Sequence, residues 1–407
     1  MPTLFEETRI KSMTLKNRIV RSATVEGMGD ETGRPTDGLL PLYERLARGG
    51  TGLIITGMVY VSDDGKNDKR RALGIHTDDL IPAYRHITDR VHELGGAIAM
   101  QIAHAGRQTT PSVIGARPIA PSAVVDRSSF VTPRAMTEDD IRRVIDDFAA
   151  AAGRAREAGF DAVQIHGAHG YLVSSFLCPH TNRRTDRWGG SLENRMRFVT
   201  EVARKCRSAV GDDYPLLIKI SATDGMKRGM TLTDGVEAAK MLDGIGIDGI
   251  EVSCGIAEDG MTTLRGSLPV DAMLDDLGMF RGKPLMRFFT RRIGKHLFST
   301  PFAEEFNLDA ARAVKEAVSM PVFTVGGISR PERMEEIVRE GWADYVSLCR
   351  PLIIQPQWPK KIQEGRVEPT RCIRCNLCLT YLSVAPLRCY YGRRIGEVES
   401  KSTETIS

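Results

Sequence analysis

Residues 162–198 read AVQIHGAHGYLVSSFLCPHTNRRTDRWGGSLENRMRF, and three segments of different character follow one another within them. A short apolar run comes first, as in a buried strand of a parallel sheet. His166, His169 and Tyr171 follow in a turn-rich loop, and Ser191 is placed to cap a helix whose apolar residues recur at helical spacing. Because parallel α/β folds carry their sites where strands end, the stretch predicts a strand, a functional loop and a helix.

The same alternation of an apolar run and a helical segment recurs along the chain. The predicted strands are Arg18–Ser22, Gly52–Gly57, Ala97–Ile102, Ala162–Ile165, Leu216–Ile220, Gly249–Val252, Val322–Val325 and Tyr345–Leu348. Eight strands that alternate with helices predict an α/β fold of the (β/α)8 TIM-barrel type. A doubly wound open sheet would usually show a G-x-G-x-x-G fingerprint after its first strand, and RSATVEGMGD at 21–30 has none. The barrel is therefore the preferred prediction.

The bulk properties exclude several classes of function. The chain has 407 residues, of which 42% are hydrophobic and 27% charged, and its formal net charge is +4. Long blocks of like charge and basic stripes interleaved with aromatic residues are absent, so nucleic acid is not an expected partner. No apolar run approaches the ~18 residues of a membrane span, and MPTLFEETRIKS lacks a signal-peptide core. We therefore expect a cytoplasmic enzyme without a membrane partner.

The connection at 256–307, after the sixth predicted strand, is longer than a typical loop. It contains RFFTRRIGKHLF at 287–298, a basic and aromatic segment. One interpretation is a solvated helix and turn. The other is a lid over a substrate, because the segment follows a strand on the presumed active face.

Four of the eight cysteines fall close together near the C-terminal end of the sequence. Cys372, Cys375, Cys378 and Cys389 form the pattern C-x2-C-x2-C-x10-C. In a long chain without an export signal, such clustering indicates metal ligation rather than disulfides. The short spacers allow three thiolates to surround one corner of a [4Fe-4S] cluster, and structural zinc with four cysteines is the alternative.

The stretch at 162–198 also carries a long gapless motif. It has two histidines separated by two residues, then Gly-Tyr-Leu, Phe-Leu-x-Pro, and finally Asn-x-Arg-x-Asp-x-aromatic-Gly-Gly-Ser-x-Glu-Asn-Arg. This motif resembles that of the old yellow enzyme family of flavin oxidoreductases. The resemblance implies a TIM barrel that binds FMN, accepts electrons from NAD(P)H and reduces an activated C=C bond of a small unsaturated substrate.

Two strand ends are expected to hold the pyrimidine edge of the flavin. Gln101, in the QxxHxGR context of the third strand, has an amide that can both donate and accept hydrogen bonds, and the family places a glutamine there for this purpose. Lys219 ends the fifth strand, where the family's basic residue stabilises the charge on the N1–C2=O edge of a reduced flavin. An ion pair that closes the barrel bottom is the alternative for Lys219. Met58 is expected to line the flavin through its backbone.

The phosphate of FMN is expected at the last two strands. Gly326 and Gly327 in VGGIS allow a close approach of the backbone, and Cys349 and Arg350 lie in LCRP after the eighth strand. Arg350 supplies a cation that can bind phosphate in a bidentate manner. The family uses these positions for the FMN phosphate.

The loop residues are expected to face the substrate. His166 and His169 can donate hydrogen bonds to a carbonyl oxygen and so polarise the alkene for hydride from the flavin. The family's usual proton donor is the tyrosine that matches Tyr171, whose structural alternative is a packed loop aromatic. Zinc is the rival interpretation of the two histidines, although no third ligand is evident.

One position departs from the family pattern. After the first strand the family commonly has a threonine or cysteine beside the flavin, and here that register falls on Val25. An aliphatic side chain cannot donate a hydrogen bond to the flavin O4, so the usual tuning of the flavin potential is in doubt. Thr24 is adjacent but would have to turn inward.

The cysteine segment resembles the [4Fe-4S] segment that follows the barrel in trimethylamine dehydrogenase and 2,4-dienoyl-CoA reductase. We therefore expect an FMN-binding barrel at 1–355, an iron-sulfur segment at 356–396 and a disordered tail at 397–407. Those relatives continue into further nucleotide-binding domains, so an added electron-transfer protein or subunit is a possible partner, and oligomers are possible. Amine dehydrogenation or demethylation, and an electron-transfer subunit without its own substrate, are the alternative functions.

Overall fold

The computed structural model describes residues 1–67, 71–259, 262–297 and 299–392, without the side chains of 295–297. The tail predicted to be disordered, 397–407, lies outside these residues. No helix within the described ranges is long and apolar enough to cross a membrane.

Eight parallel strands form a closed barrel, which confirms the predicted fold. They are β1 (Ile19–Arg21), β2 (Leu53–Tyr60), β3 (Ala97–Ala103), β4 (Ala162–Gly167), β5 (Leu216–Thr223), β6 (Gly249–Cys254), β7 (Val322–Val325) and β8 (Tyr345–Leu348). Pairing of β1 with both β8 and β2 closes the ring. Each predicted strand overlaps an observed one.

Helices surround the barrel, one after each strand. They are α1 (Leu39–Arg48), α2 (Ile81–Glu93), α3 (Glu138–Glu157), α4 (Leu192–Val210), α5 (Leu232–Gly244), α6 (Leu308–Lys315), α7 (Pro331–Arg339) and α8 (Trp358–Gln363). Further helices lie in the connections: Pro111–Ile114, Leu172–Leu177, Pro284–Leu297, Arg350–Ile354 and Leu377–Thr380. Trp358 of α8 is buried in the core that the helices share with the barrel.

The stretch at 162–198 folds as the sequence predicts. Strand β4 is buried along its whole length, the loop follows, and α4 begins after Ser191, whose side chain accepts a hydrogen bond from the backbone N–H of Asn194. The short helix Leu172–Leu177 packs on α4 through stacked rings of Phe176 and Phe198, whose centroids are 4.1 Å apart. This contact fixes the loop between strand and helix.

The end of the barrel where the strands begin is closed by an N-terminal hairpin of Thr8–Ile10 and Met13–Leu15. Ile10, Met13 and Leu15 pack on side chains from inside the barrel, among them Phe323. Because apolar residues fill this end, open space remains only where the strands' carboxyl ends emerge.

Two further segments stand at the open end. The first is an insert at 262–297, which contains a helical turn at Ala272–Asp276 and the helix Pro284–Leu297. The second is the cysteine segment at 370–391, which contains Leu377–Thr380. The two segments contact each other, since Ser267 donates its N–H to the carbonyl of Arg374 at 3.1 Å.

Candidate functional site

A cavity of about 810 Å³ occupies the open end of the barrel. The structure brings together around it all the residues that the sequence assigns to the cofactor and the substrate. They are Met58, Gln101, His166, His169, Tyr171, Lys219, Gly326, Gly327, Cys349 and Arg350. These residues lie on or just after six of the eight strands, and they come together because the carboxyl ends of the strands meet at the same rim.

A chain of buried polar side chains runs beneath the cavity. Gln101 donates to the Oε1 of Gln164 at 2.7 Å, and Gln164 donates to Glu251 at 3.0 Å. The ammonium of Lys219 lies 3.0 Å from the same carboxylate and donates to Ser22 Oγ at 2.8 Å. Lys219 therefore forms an ion pair and also lines the cavity, but the closed end of the barrel is filled by the apolar residues of the N-terminal hairpin and not by this pair.

The two histidines and the tyrosine form one aromatic group at the cavity wall. The ring of His166 lies edge-on to that of His169, with centroids 5.2 Å apart, and 4.8 Å from the ring of Tyr171. His169 adopts a left-handed backbone with φ of 64° and shares a 2.8 Å hydrogen bond between its Nε2 and Ser253 Oγ. Among the described residues, no third histidine, cysteine or carboxylate joins the two histidines in a group that could hold zinc.

Both histidines are held neutral. Burial lowers the pKa of His166 well below its ordinary value, helped by the charges of His169 and Lys219. Burial also lowers the pKa of His169 to about 3, again with the Lys219 ammonium beside it. The Nδ1 of His166 accepts from the N–H of Ala168 at 3.4 Å, so its single proton is on Nε2. His166 is therefore a hydrogen-bond donor through Nε2.

The end of the cavity at β7 and β8 has the features expected for a phosphate. Gly326 and Gly327 have φ of 120° and 79°, backbone conformations that residues with a side chain rarely adopt. A Cβ at Gly327 would also lie 2.4 Å from the carbonyl oxygen of Ala303. Arg350 lines this end, and its Nη1 donates to the carbonyl of Arg265 at 2.8 Å. One nitrogen of the guanidinium is thus engaged with the insert.

Val25 and Thr24 both line the cavity, as does Met58. The Thr24 hydroxyl donates to the carbonyl of Ser22 at 3.0 Å, so it is already engaged with the backbone. The sulfur of Met58 accepts from the Asn67 amide at 3.1 Å. The departure at Val25 therefore has no nearby substitute in Thr24.

The four cysteines of the C-terminal segment border a second, smaller space of about 20 Å³. Burial raises the pKa of Cys372, and raises that of Cys378 to about 12, with the neighbouring thiols adding to both effects. Among the residues that the structure describes, no three histidine, cysteine or carboxylate side chains are grouped so as to hold a metal ion. The cysteines are thus neighbours, but they do not form a single-ion site.

The two cavities are adjacent. Arg350, Cys372 and Asn376 border both of them. The Oδ1 of Asn376 accepts from Arg350 at 2.6 Å, so the cysteine segment is tied directly to the rim of the barrel.

The outer wall of the large cavity comes from the insert and the cysteine segment. Apolar side chains of both segments line it: Leu264, Leu268, Pro269, Met273, Leu277, Leu379 and Leu382. The segment proposed as a lid is 287–298, and the side chains that the structure describes in it, 287–294, do not line the cavity; Phe288 is 60% exposed. The cavity is covered by the earlier part of the insert instead, because residues 264–277 reach the cysteine segment and the later helix does not line the cavity with any described side chain.

Several site residues were missed by the sequence analysis. Gln164 and Glu251 complete the buried chain, Ser253 holds His169, and Asn376 joins the cysteine segment to Arg350. A signal existed for two of them. Gln164 shares the inward face of β4 with His166, two residues on, and Glu251 shares that of β6 with Ser253. No sequence signal marks Asn376, whose role depends on a fold-back of the chain.

Comparison with known proteins defines the class. A model of the NADH:flavin oxidoreductase / NADH oxidase family matches residues 3–259 and 291–368. The chain therefore belongs to this family of FMN oxidoreductases, which confirms the resemblance drawn from the motif. The matched ranges leave out 260–290, so the part of the insert that covers the cavity lies outside the family model.

Individual relatives agree with the family assignment. The chain is 39% identical to an NADH oxidase of Thermoanaerobacter brockii over 92% of this chain and 53% of that protein. It is 32% identical to a 4,4'-dithiodibutanoate disulfide reductase of Rhodococcus erythropolis, over 93% of this chain and 92% of that protein. A 2-naphthoyl-CoA reductase solved with 2-naphthoyl-CoA superposes with a TM-score of 0.82 at 26% identity, over 97% of this chain and 57% of the other. The chain thus spans little more than half of two of these proteins.

Proposed function

We propose that the protein is an FMN-dependent oxidoreductase that transfers hydride from NAD(P)H to an activated C=C bond. One observation carries the proposal: the amide of Gln101, the ammonium of Lys219, the glycine pair at β7 and the two neutral histidines line a single cavity. The family membership and the NADH oxidase relative support NAD(P)H as the reductant.

The residues present fit FMN. Gln101 and Lys219 would hold the pyrimidine edge, and Met58 would line the ring system. The phosphate would lie at the last two strands, beside Gly326, Gly327, Cys349 and Arg350. The glycine pair supports this placement because a Cβ at Gly327 would collide with the backbone carbonyl of Ala303, so this turn of the cavity wall needs glycine to keep its shape. When bound, FMN would accept a hydride from NAD(P)H and pass one to the substrate.

The histidines would hold the substrate carbonyl. His166 has its proton on Nε2, so it can donate to a carbonyl oxygen without carrying a charge. His169, fixed by Ser253, would be the second group at that oxygen. Polarisation of the carbonyl lowers the electron density at the β-carbon, where hydride arrives.

Tyr171 would deliver the proton to the α-carbon. We expect Tyr171→Phe to leave flavin reduction by NAD(P)H unchanged and to slow reoxidation by an enone about 10²–10⁴-fold, the usual contribution of a general acid. Stopped-flow measurement of the two half-reactions checks this, with cyclohexenone as the acceptor. Tyr214→Phe is a matched control, since its hydroxyl donates to Phe160 in another part of the barrel. Equal loss of both half-reactions in Tyr171→Phe would reject the assignment.

FMN binding itself can be tested on the purified chain. We expect addition of FMN to give a yellow protein with quenched flavin fluorescence. A protein that stays colourless in the presence of FMN would overturn the proposed function.

We also propose that Cys372, Cys375, Cys378 and Cys389 hold a [4Fe-4S] cluster. Four thiols around one space form a suitable donor set. Burial, with the neighbouring thiols, raises the pKa of Cys378 to about 12, and a bound cationic centre would offset this effect. Sulfurs bound to one zinc would lie roughly 3.8 Å apart, as a tetrahedron with bonds of about 2.3 Å requires. Structural zinc with four cysteines is the alternative, and metal analysis distinguishes the two.

Amine dehydrogenation is the second function that the sequence left open. A substrate ammonium would need free aromatic faces. Phe306 and Phe302 line the cavity, but the guanidinium of Arg265 lies 4.3 Å from the first ring centroid and that of Arg374 lies 3.8 Å from the second. Because the chain's own cations cover these rings, the geometry favours the alkene.

The third possibility is an electron-transfer role with a separate protein. Rapid reduction of the flavin by NAD(P)H in the isolated chain supports the enzyme. Reduction only after addition of a partner would support the subunit.

A further inference from the structure

Glu251 is a buried carboxylate that neither the family motif nor the cavity lining includes. It lies in β6 and is 1% exposed. Its Oε2 receives both Gln164 Nε2 and Lys219 Nζ, each at 3.0 Å. Its Oε1 is buried without a hydrogen-bond partner among the described residues. The Oε2 of Glu251 therefore links Gln164, which leads to Gln101, with Lys219, and both Gln101 and Lys219 line the cavity.

The carboxylate fixes the direction of the amide chain. A carboxylate can only accept, so the NH2 group of Gln164 must face Glu251 and its oxygen must face Gln101. The NH2 group of Gln101 then donates to that oxygen, at 2.7 Å. The Oε1 of Gln101 is left as the atom that can accept a hydrogen bond from a ligand in the cavity.

The same carboxylate offsets the charge of Lys219. The ammonium is 3% exposed and is held between Glu251 and Ser22. A buried ammonium beside a carboxylate acts on its surroundings with much less than a full positive charge. A ligand above Lys219 can therefore accept a hydrogen bond from it, but the positive charge that the ligand experiences is partly offset by Glu251.

We propose that Glu251 is a positioning residue for the ligand's pyrimidine edge. Through Gln164 it makes Gln101 an acceptor for a ligand N–H, and through Lys219 it limits how strongly the site favours a negatively charged ligand. The inference rests on the proposed binding of FMN, whose N3–H and N1–C2=O groups match these two requirements.

Two variants separate the two effects. Glu251→Gln removes the charge and also frees the amide chain to reverse. Gln164→Met interrupts the amide chain and leaves the ion pair of Glu251 with Lys219. Asp248→Asn is the matched control, because it removes a carboxylate just before β6 whose partner is Arg207 and which does not line the cavity.

The first measurement is the midpoint potential of bound FMN. In Glu251→Gln no carboxylate offsets the positive charge of Lys219, so Lys219 stabilises the anionic reduced flavin more strongly. We expect the ratio of the binding constants of reduced and oxidised FMN to rise about tenfold, which is about 30 mV for a two-electron couple. Gln164→Met and Asp248→Asn should leave the potential near that of the wild type. An unchanged or lower potential in Glu251→Gln would overturn the charge role.

The second measurement compares the affinities of the apoprotein for FMN and for FMN methylated at N3. The wild type should prefer FMN, since methylation removes the N–H that Gln101 accepts. The preference should fall several-fold in Glu251→Gln and in Gln164→Met, but not in Asp248→Asn. Equal preference in all four proteins would overturn the orienting role.

The outcomes distinguish this inference from the proposed function. If the wild type does not bind FMN, both are rejected. If the wild type binds FMN and the variants behave like it, only the role of Glu251 is rejected. Should Glu251→Gln fail to fold, Gln164→Met still decides the orienting role through the methylated ligand.

Discussion

At the residue scale, the cavity wall places the Lys219 ammonium near two imidazoles that stay uncharged. His166 and His169 lie beside Lys219, and burial with this neighbouring charge lowers the pKa of both rings. A neutral imidazole can donate a hydrogen bond to a carbonyl oxygen during hydride transfer, and its protonation state does not change at any pH near neutrality.

This arrangement predicts a pH dependence of stability. The unfolded chain, with histidines near pKa 6.5, binds more protons than the folded chain between about pH 6.5 and pH 3, the folded value for His169. The free energy of unfolding should therefore fall as the pH falls through this window, by roughly 1.4 kcal/mol per pH unit for each histidine. Urea denaturation at pH 7 and pH 5 measures it.

A variant that replaces both His166 and His169 with glutamine should have a shallower slope than the wild type. His92→Gln is the control with the opposite sign, because the hydrogen bond to Asp161 raises the pKa of His92. Its contribution is present below pH 6.5 and is lost as the pH rises. Identical slopes in all three proteins would contradict the explanation.

Gly327 offers a second test at this scale. In Gly327→Ala the new Cβ would lie 2.4 Å from the Ala303 oxygen, and the backbone φ is 79°. We expect a loss of about 1–3 kcal/mol in unfolding free energy, together with at least a tenfold loss of FMN affinity. Calorimetry and fluorescence titration measure the two quantities.

Gly211→Ala is the matched control for Gly327→Ala. Its φ is 80°, and a Cβ there would have open space. It carries the same backbone strain without the clash, so it should lose stability but keep FMN affinity. Full FMN affinity in Gly327→Ala would remove the phosphate role from this turn.

At the element scale, the insert and the cysteine segment act as one cover for the cavity. The amide of Asn376 donates to the carbonyls of Leu264 and Ser267, each at 3.1 Å. The hydroxyl of Tyr381 bonds to the carboxylate of Asp276. Since these contacts join elements about a hundred residues apart, the position of the insert depends on the order of the cysteine segment.

Asn376→Asp tests this dependence. Aspartate tolerates the left-handed φ of 59° and can still accept from Arg350, but it faces two carbonyls without a proton to donate. Amide exchange of residues 262–277 should become about tenfold faster. Ser383→Ala is the control, because that hydroxyl donates within the cysteine segment. Unchanged exchange in Asn376→Asp would show that other contacts hold the insert.

At the scale of the whole molecule, the cavity at the open end of the barrel and the smaller space beside the four cysteines are neighbours, and Arg350 lines both. The residues proposed to hold FMN come from the strand ends, while Cys375, Cys378 and Cys389 border only the smaller space. Loss of the metal site should therefore leave FMN binding possible.

Anaerobic preparations should contain about four iron atoms per chain. Cys375→Ser should lose most of this iron and keep its FMN, because serine replaces one ligand of the proposed cluster and position 375 does not itself line the larger cavity. Metal analysis and flavin absorbance measure both. Cys206→Ala, a buried cysteine of α4, should keep its iron. Zinc at one atom per chain in the wild type would overturn the iron-sulfur proposal.

The sequence by itself determined the barrel. Apolar runs bounded by polar residues marked all eight strands, because a strand buried on both faces must be apolar along its length. It also located the cavity residues at the strand ends that are assigned to FMN and the substrate, since strand ends of a closed barrel meet at one rim whatever the loops do.

Only the tertiary structure decided what lies between those residues. Gln164 and Glu251 connect Gln101 to Lys219, with the four residues on four successive strands, and Asn376 joins the C-terminal segment to the insert. Local sequence carries the period of a strand or helix, but a hydrogen bond between residues 26 to 112 positions apart requires the chain to be closed first. Sequence patterns therefore defined the frame of the site, and its electrostatics were set by contacts that form only in the folded barrel.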